Sequence, residues 1–151
     1  ICGDGTAIHQ FLHVKDAAPA FVGVLGKPHC VGQVYNLASR GYISWANYHR
    51  AAMRVIGNEV EMVGVPFADL QKCEIPGFDI CESIFRHSCY FSSEKLARDV
   101  PEFAPRFSLE QAMENVLETM RREDRLPDGE NGWEDEIIAR QRAAFSAKNV
   151  A

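Results

Sequence analysis

Along the first 66 residues the spacing of apolar positions switches between strand-like and helix-like periods. Residues 9–14 hold Phe11 and Leu12 at their centre and read as a short extended segment. Asp16 then stands where a helix cap belongs, and Ala18, Phe21, Val22 and Leu25 recur on one stripe of a helix over residues 17–25. Pro19 is tolerated in a first turn, which agrees with a start near Asp16, and Gly26 with Pro28 beyond it supplies the stop. Val34, Tyr35 and Leu37 make residues 33–38 a strand. Ser44 caps a helix over Trp45–Ile56 that Gly57 closes, and residues 59–65 form a further strand ended by Pro66. The order extended–helix–strand–helix–strand predicts an α/β fold: a small parallel sheet with flanking helices.

Beyond residue 66 the pattern is less regular. Residues 67–89 hold a Pro76-Gly77 turn and three cysteines without a period. Ser92 or Ser93 starts a short helix that runs to Arg98. Ser108 and Gln111 form a capping box for a helix over Leu109–Arg122, with Met113, Val116, Leu117 and Met120 as its apolar stripe. Residues 126–132, rich in Pro and Gly, read as a loop. A last amphipathic helix over residues 133–145 carries Trp133, Ile137 and Ile138 on its apolar side.

Composition narrows the function classes. The chain has 151 residues, 46% hydrophobic and 25% charged, enough for one domain with a core. No apolar run approaches the roughly 20 residues of a membrane span. A net charge of -5 without a basic block argues against a nucleic-acid-binding face. The five cysteines, Cys2, Cys30, Cys73, Cys81 and Cys89, form no C-x-x-C pair; they read as reduced thiols and small buried hydrophobes in a cytoplasmic protein. The first residue is Ile1, not Met, and nothing resembles a processed secretory start, so the chain is expected to begin inside a longer protein.

No complete catalytic set is present. No G-x-G-x-x-G turn follows a strand, no Tyr stands four residues before a Lys, and there is no G-x-S-x-G elbow. His9 and His13 stand four apart in a segment read as extended, roughly 13 Å on a strand and too far for one metal ion. Residues able to bind a ligand cluster at two places. One is the turn Gly3-Asp4-Gly5-Thr6 leading to His9 and Gln10. The other is Arg86-His87 before Tyr90, where a guanidinium can present a planar fork to a phosphate or carboxylate.

The order of these segments resembles a known family. Gly3-Asp4-Gly5-Thr6-Ala7-Ile8-His9-Gln10-Phe11-Leu12-His13-Val14-Lys15-Asp16 is similar to the G-D-G-x-x-x-R-D-F-[VI]-H-V-x-D run of extended short-chain dehydrogenases, the NAD-dependent epimerase/dehydratase type. Gly32-Gln33-Val34-Tyr35-Asn36-Leu37 resembles that family's G-x-x-[YF]-N-[LIV] strand. Ser92-Ser93-Glu94-Lys95-Leu96 resembles its D-x-S-K-[AL] segment, Glu102-Phe103-Ala104-Pro105 its G-[WF]-x-P, and Ser108-Leu109-Glu110-Gln111-Ala112 its S-L-E-E-G. The resemblance covers residues 3–122. It implies the C-terminal, substrate-side α/β domain of an extended Rossmann-type enzyme over residues 1–122, with a loop and a helical tail over residues 123–151.

The resemblance further implies that NAD or NADP and the catalytic Tyr/Lys pair belong to an N-terminal half outside this chain. The partners it implies are that half and a small-molecule, nucleotide-sugar-type substrate; homo-oligomers are compatible with it. This chain would hold no catalytic, cofactor or metal residue. Its substrate-binding candidates are Arg86, His9, Gln10, Gly3 and Asp4. The family's phosphate-binding Arg and the Asp after it fall on His9 and Gln10, which shifts the expected anion contact to Arg86. The His13-Val14-Lys15-Asp16 run and residues 85–95 are also similar to chloroplast stem-loop RNA-binding proteins, divergent members of the same superfamily. The acidic charge weighs against RNA, which favours a positive stripe. A non-catalytic interaction domain is the third reading.

Overall fold

The computed structural model describes residues 1–127, 129 and 132–148. Strand β1 (Ile8–His9) pairs antiparallel with β2 (Ile43–Ser44), His9 opposite Ile43 and Ile8 opposite Ser44. Helix α2 (Trp45–Ile56) follows β2 directly because the Ser44 hydroxyl accepts from Asn47 N at 3.3 Å. It ends where Gly57, at φ 77°, adopts the left-handed conformation that returns its N–H to the Met53 carbonyl. These bounds match the sequence reading.

The expected parallel sheet is not formed among the described residues. Residues 33–38 have no strand partner, and Val34 is 83% exposed. Lys95 Nζ donates to the Val34 carbonyl and Asn36 Nδ2 to the Ser92 carbonyl, so side-chain contacts stand where a neighbouring strand would be. Residues 59–65 pair only at their end, in a parallel bridge of Val65 with Cys2; Gly3 N donates to the Val65 carbonyl, and Val65 N to that of Ile1. The approach is close: a Cβ at Gly64 would lie 2.6 Å from the Gly3 oxygen. A parallel strand needs a second edge supplied across a crossover, and no such edge is available here to 33–38.

Helix α1 (Val14–Val24) begins earlier than the pattern predicts. Its cap is His13, whose Nδ1 accepts from Lys15 N at 3.2 Å, and not Asp16. Asp16 lies in the first turn and reaches 90 positions along the chain to accept from Arg106 N (3.1 Å) and Phe107 N (3.0 Å). Pro19 falls in the second turn, where its ring leaves the Lys15 carbonyl without the usual helical donor. The face of α1 is also inverted. The small residues Ala20 and Gly23 are buried, whereas Val14, Phe21, Val22 and Leu25 are 66–74% exposed.

Among the described residues, two buried apolar clusters hold the molecule together. In the first, Ala20 of α1 packs with Leu96 of α5 (Glu94–Asp99), Val100 and Phe103. Gly23 permits the contact, since a Cβ there would meet Val100 Cγ1 at 2.4 Å. The second joins Val65, Leu70 of α3 (Phe67–Leu70) and Ile137 of α7 (Gly132–Lys148), so the last helix packs back on the α/β part. Between α3 and α5 run α4 (Phe78–Ile80) and a π-helical turn over Cys81–Phe85. Helix α6 (Leu109–Arg122) carries the expected capping box and lies against α2, with Arg54 paired to Glu110 at 2.7 Å. Of the expected 126–132 loop, Asp128, Glu130 and Asn131 lie outside the described residues, as do residues 149–151 of the tail. The cysteines differ from expectation: none is fully buried, and Cys89 is exposed.

Candidate functional site

The turn at Gly3–Thr6 is built by local bonds. Asp4 Oδ1 accepts from Thr6 N at 2.9 Å and from the Thr6 hydroxyl at 2.7 Å, and these bonds hold its exposed carboxyl below the usual carboxylate range. Gly3, at φ 60°, turns the chain so that its N–H meets Val65. Gln10 is likewise engaged with backbone. Its amide nitrogen donates to the carbonyls of Ser39 and Phe91, and its oxygen accepts from Phe91 N, tying residues 10, 39 and 91 into one unit.

His9 sits inside an aromatic cluster. Its ring stacks on Trp45 at 3.6 Å with an interplanar angle of 11°, and meets the edge of Tyr48 at 5.2 Å. Trp45 in turn packs edge-on to Phe85 at 4.5 Å. Both imidazole nitrogens and Trp45 Nε1 are shielded from solvent without a hydrogen-bond partner. Desolvation, then the neighbouring His49, lowers the His9 pKa, so the ring is neutral at pH 7.

Arg86 follows Phe85 at the end of the π-helical turn. Its guanidinium lies over the Phe67 ring at 4.3 Å, and its Nε donates to His87 Nε2 at 2.9 Å. Arg86 is exposed, and among the described residues no carboxylate pairs with it. Two sequence candidates thus flank one aromatic chain: His9 stacks on Trp45, Trp45 touches Phe85, and Arg86, the residue after Phe85, lies on Phe67. Gln10 and Asp4 are held in other bonds. Sequence reasoning missed Trp45, Tyr48, Phe85 and Phe67; the one available signal was Trp45 and Tyr48 three apart on a predicted helix.

A second contact missed in the sequence is Tyr35 with Lys95, whose Nζ lies 5.0 Å from the phenol ring. Tyr35 donates to Asp99 at 3.0 Å, and the Cys30 thiol, desolvation and Asp99 push its pKa well above the ordinary phenol value. No glycine-rich turn at a helix start offers a pyrophosphate cradle. Among the described residues no cluster of three or more His, Cys, Asp or Glu could hold a metal ion, and no helix is long and apolar enough to cross a membrane.

No protein-family model matches the sequence, and no curated protein matches it. The fold has counterparts among solved structures, which include a 4-epimerase and a 4,6-dehydratase solved with NAD. UDP-glucuronic acid 4-epimerase from Bacillus cereus, in complex with NAD, matches with a TM-score of 0.59 and 16% identity over 88% of this chain and 35% of its own. dTDP-glucose 4,6-dehydratase from Bacillus anthracis, with NAD, matches with a TM-score of 0.58 and 18% identity over 82% of this chain and 34% of its own. The Bordetella bronchiseptica enzyme WbmF, with NAD+ and UDP, gives a TM-score of 0.57 and 20% identity over 97% of this chain and 36% of its own. The chain therefore spans about a third of the length of the structures it matches.

Proposed function

We propose that this chain is the substrate-side part of an NAD(P)-dependent epimerase, dehydratase or reductase acting on a sugar nucleotide, with the cofactor and the proton-transfer pair in an N-terminal half. Within it, Arg86 is the main contact to the anionic group of the substrate. The observation that carries this reading is the state of Arg86: exposed, free of any described carboxylate, and oriented by Phe67 beneath it and His87 beside it. A guanidinium in that setting keeps its charge at any physiological pH and offers a bidentate fork. His9, stacked and neutral, is the weaker partner although it stands where the resembling family has Arg. The structural neighbours, solved with NAD, UDP or a UDP-sugar, support the substrate class.

The same reading accounts for the inverted α1 and the unpaired 33–38 segment. The exposed Val14, Phe21, Val22, Leu25, Val31 and Val34 form the apolar surface that the N-terminal half covers, and 33–38 adds to the edge of its parallel sheet. The test is steady-state kinetics on the protein carrying this chain together with its nucleotide-binding half, across pH 5.5–8. Arg86→Ala is expected to cost about 2–3 kcal/mol in kcat/KM, and Arg86→Lys to raise KM by losing the fork. A silent Arg86→Ala beside a His9→Ala variant crippled at every pH would overturn the assignment.

A further inference from the structure

Three polar ring atoms in one small volume, all shielded and all without a partner, need an explanation, because native proteins rarely leave such atoms unsatisfied. We propose that the His9–Trp45 stack is an acid-sensitive latch between β1 and α2: it is closed while His9 is neutral and opens when the imidazole takes up a second proton. The inference is independent of the substrate reading above.

The closed state is legible in the contacts. A neutral imidazole lies flat on the indole of Trp45, with the Tyr48 edge closing the side. It leaves one N–H and one lone pair unsatisfied. Protonation turns the lone pair into a second N–H, and the surroundings offer neither donor an acceptor. From β2 the register partner is Ile43, which is apolar. From α2 come Trp45, Tyr48 and His49, and His49 is itself an imidazole whose pKa is lowered by desolvation and then by the positive charge of the N-terminus. Segment 85–89 contributes Phe85, behind Trp45, and bonds to Ile8 through the Ser88 hydroxyl and Cys89 N; its cation, Arg86, is turned onto Phe67. No described carboxylate pairs with either histidine.

One term opposes opening. An imidazolium over an indole face gains a cation–π attraction. Against it stand the desolvation of the full charge and a second N–H donor without an acceptor in a shielded site. The desolvation side is larger, in agreement with the lowered His9 pKa. The sign of the linkage follows. The unfolded chain binds the proton near pH 6.5 and the folded chain only below it, so the latch stabilises the fold fully above pH 6.5. That contribution falls away as pH drops from 6.5 through the lowered folded pKa of His9, and the lowered pKa of His49 acts in the same direction.

The test uses the 151-residue chain with Trp133→Phe, which leaves Trp45 as the fluorescent reporter. Imidazole C–H resonances and Trp45 emission are followed from pH 8 to 4.5, with far-UV dichroism as the check on global unfolding. The expected result is a His9 midpoint below 6.5 with a red shift of Trp45 emission in the same step and helix content retained. His9→Phe keeps the stack without a titrating group and should abolish the step; His49→Gln should leave it in place. A His9 midpoint at or above 6.5, with emission quenched but not shifted, means that the cation–π contact wins and the latch stays shut, which overturns the proposal. If His9→Phe does not fold, the His49→Gln variant decides alone: loss of the step there assigns it to His49 and sinks the idea.

Discussion

Two polar side chains near the start of the chain spend their hydrogen bonds on distant backbone. Asp16 accepts from the amides of Arg106 and Phe107, just ahead of the α6 capping box, and is 7% exposed. His13, stacked on Phe107 at 4.2 Å, closes the same joint from the other side. The pair fastens the start of α1 to the start of α6. Removing the carboxylate strands two partly buried N–H groups, so Asp16→Ala is expected to lose about 2–4 kcal/mol of stability, measured by urea denaturation. Asp16→Asn keeps one acceptor oxygen and should lose less. If Asp16→Ala were as stable as the parent chain, the joint would have no energetic weight. Asp16 and Gln10 thus show why a polar residue in a motif is not evidence of a ligand: backbone far along the chain competes for it.

At the scale of elements, α2 and α6 are amphipathic helices whose ends are set by local caps, and α1 differs from both. In α6 the Ser108 hydroxyl accepts from Gln111 N at 3.1 Å, and the Gln111 side chain accepts in return from Ser108 N at 3.0 Å. Both limbs are exposed and local, so Ser108→Ala should cost about 1 kcal/mol, lowering the urea midpoint with an unchanged slope. The salt bridge from Arg54 to Glu110 joins two half-exposed groups; it holds the Glu110 carboxyl below its ordinary range yet contributes little to stability. Helix α1 is different in kind. Its apolar stripe is real and points outward, because contact with Val100 at Gly23 admits only small side chains on the inner face.

For the whole molecule, the α1 side presents large apolar residues that a stable monomer ordinarily covers, and Val31 and Val34 are exposed as well. In isolation the chain is therefore expected to self-associate through this side. Sedimentation velocity over a concentration series should show it, and Phe21→Lys with Leu25→Lys should return the chain to monomer. A native chain that stays monomeric at high concentration and binds no apolar dye would count against the reading of this surface.

What the sequence alone determined is what short-range chemistry controls. The bounds of α2 and α6, the capping box and the left-handed Gly57 all depend on residues within one or two helical turns, so spacing and side-chain type suffice. The start of the short helix near Ser93 was legible for the same reason, whereas the strands expected at 33–38 and 59–65 do not form a sheet among the described residues. Tertiary structure decided what depends on partners. A period of 3.6 reveals a stripe on α1 but not which way it faces. Alternation marks 33–38 as extended, but pairing needs an edge from elsewhere. The cap of α1 passed from Asp16 to His13 because an acceptor's best donors lay 90 positions away. His9 became a stacked, neutral ring only because β1 lies beside the first turn of α2, where Trp45 covers it. Neither ring's environment exists until that contact forms, and it is the environment, through desolvation, that sets the charge of the imidazole.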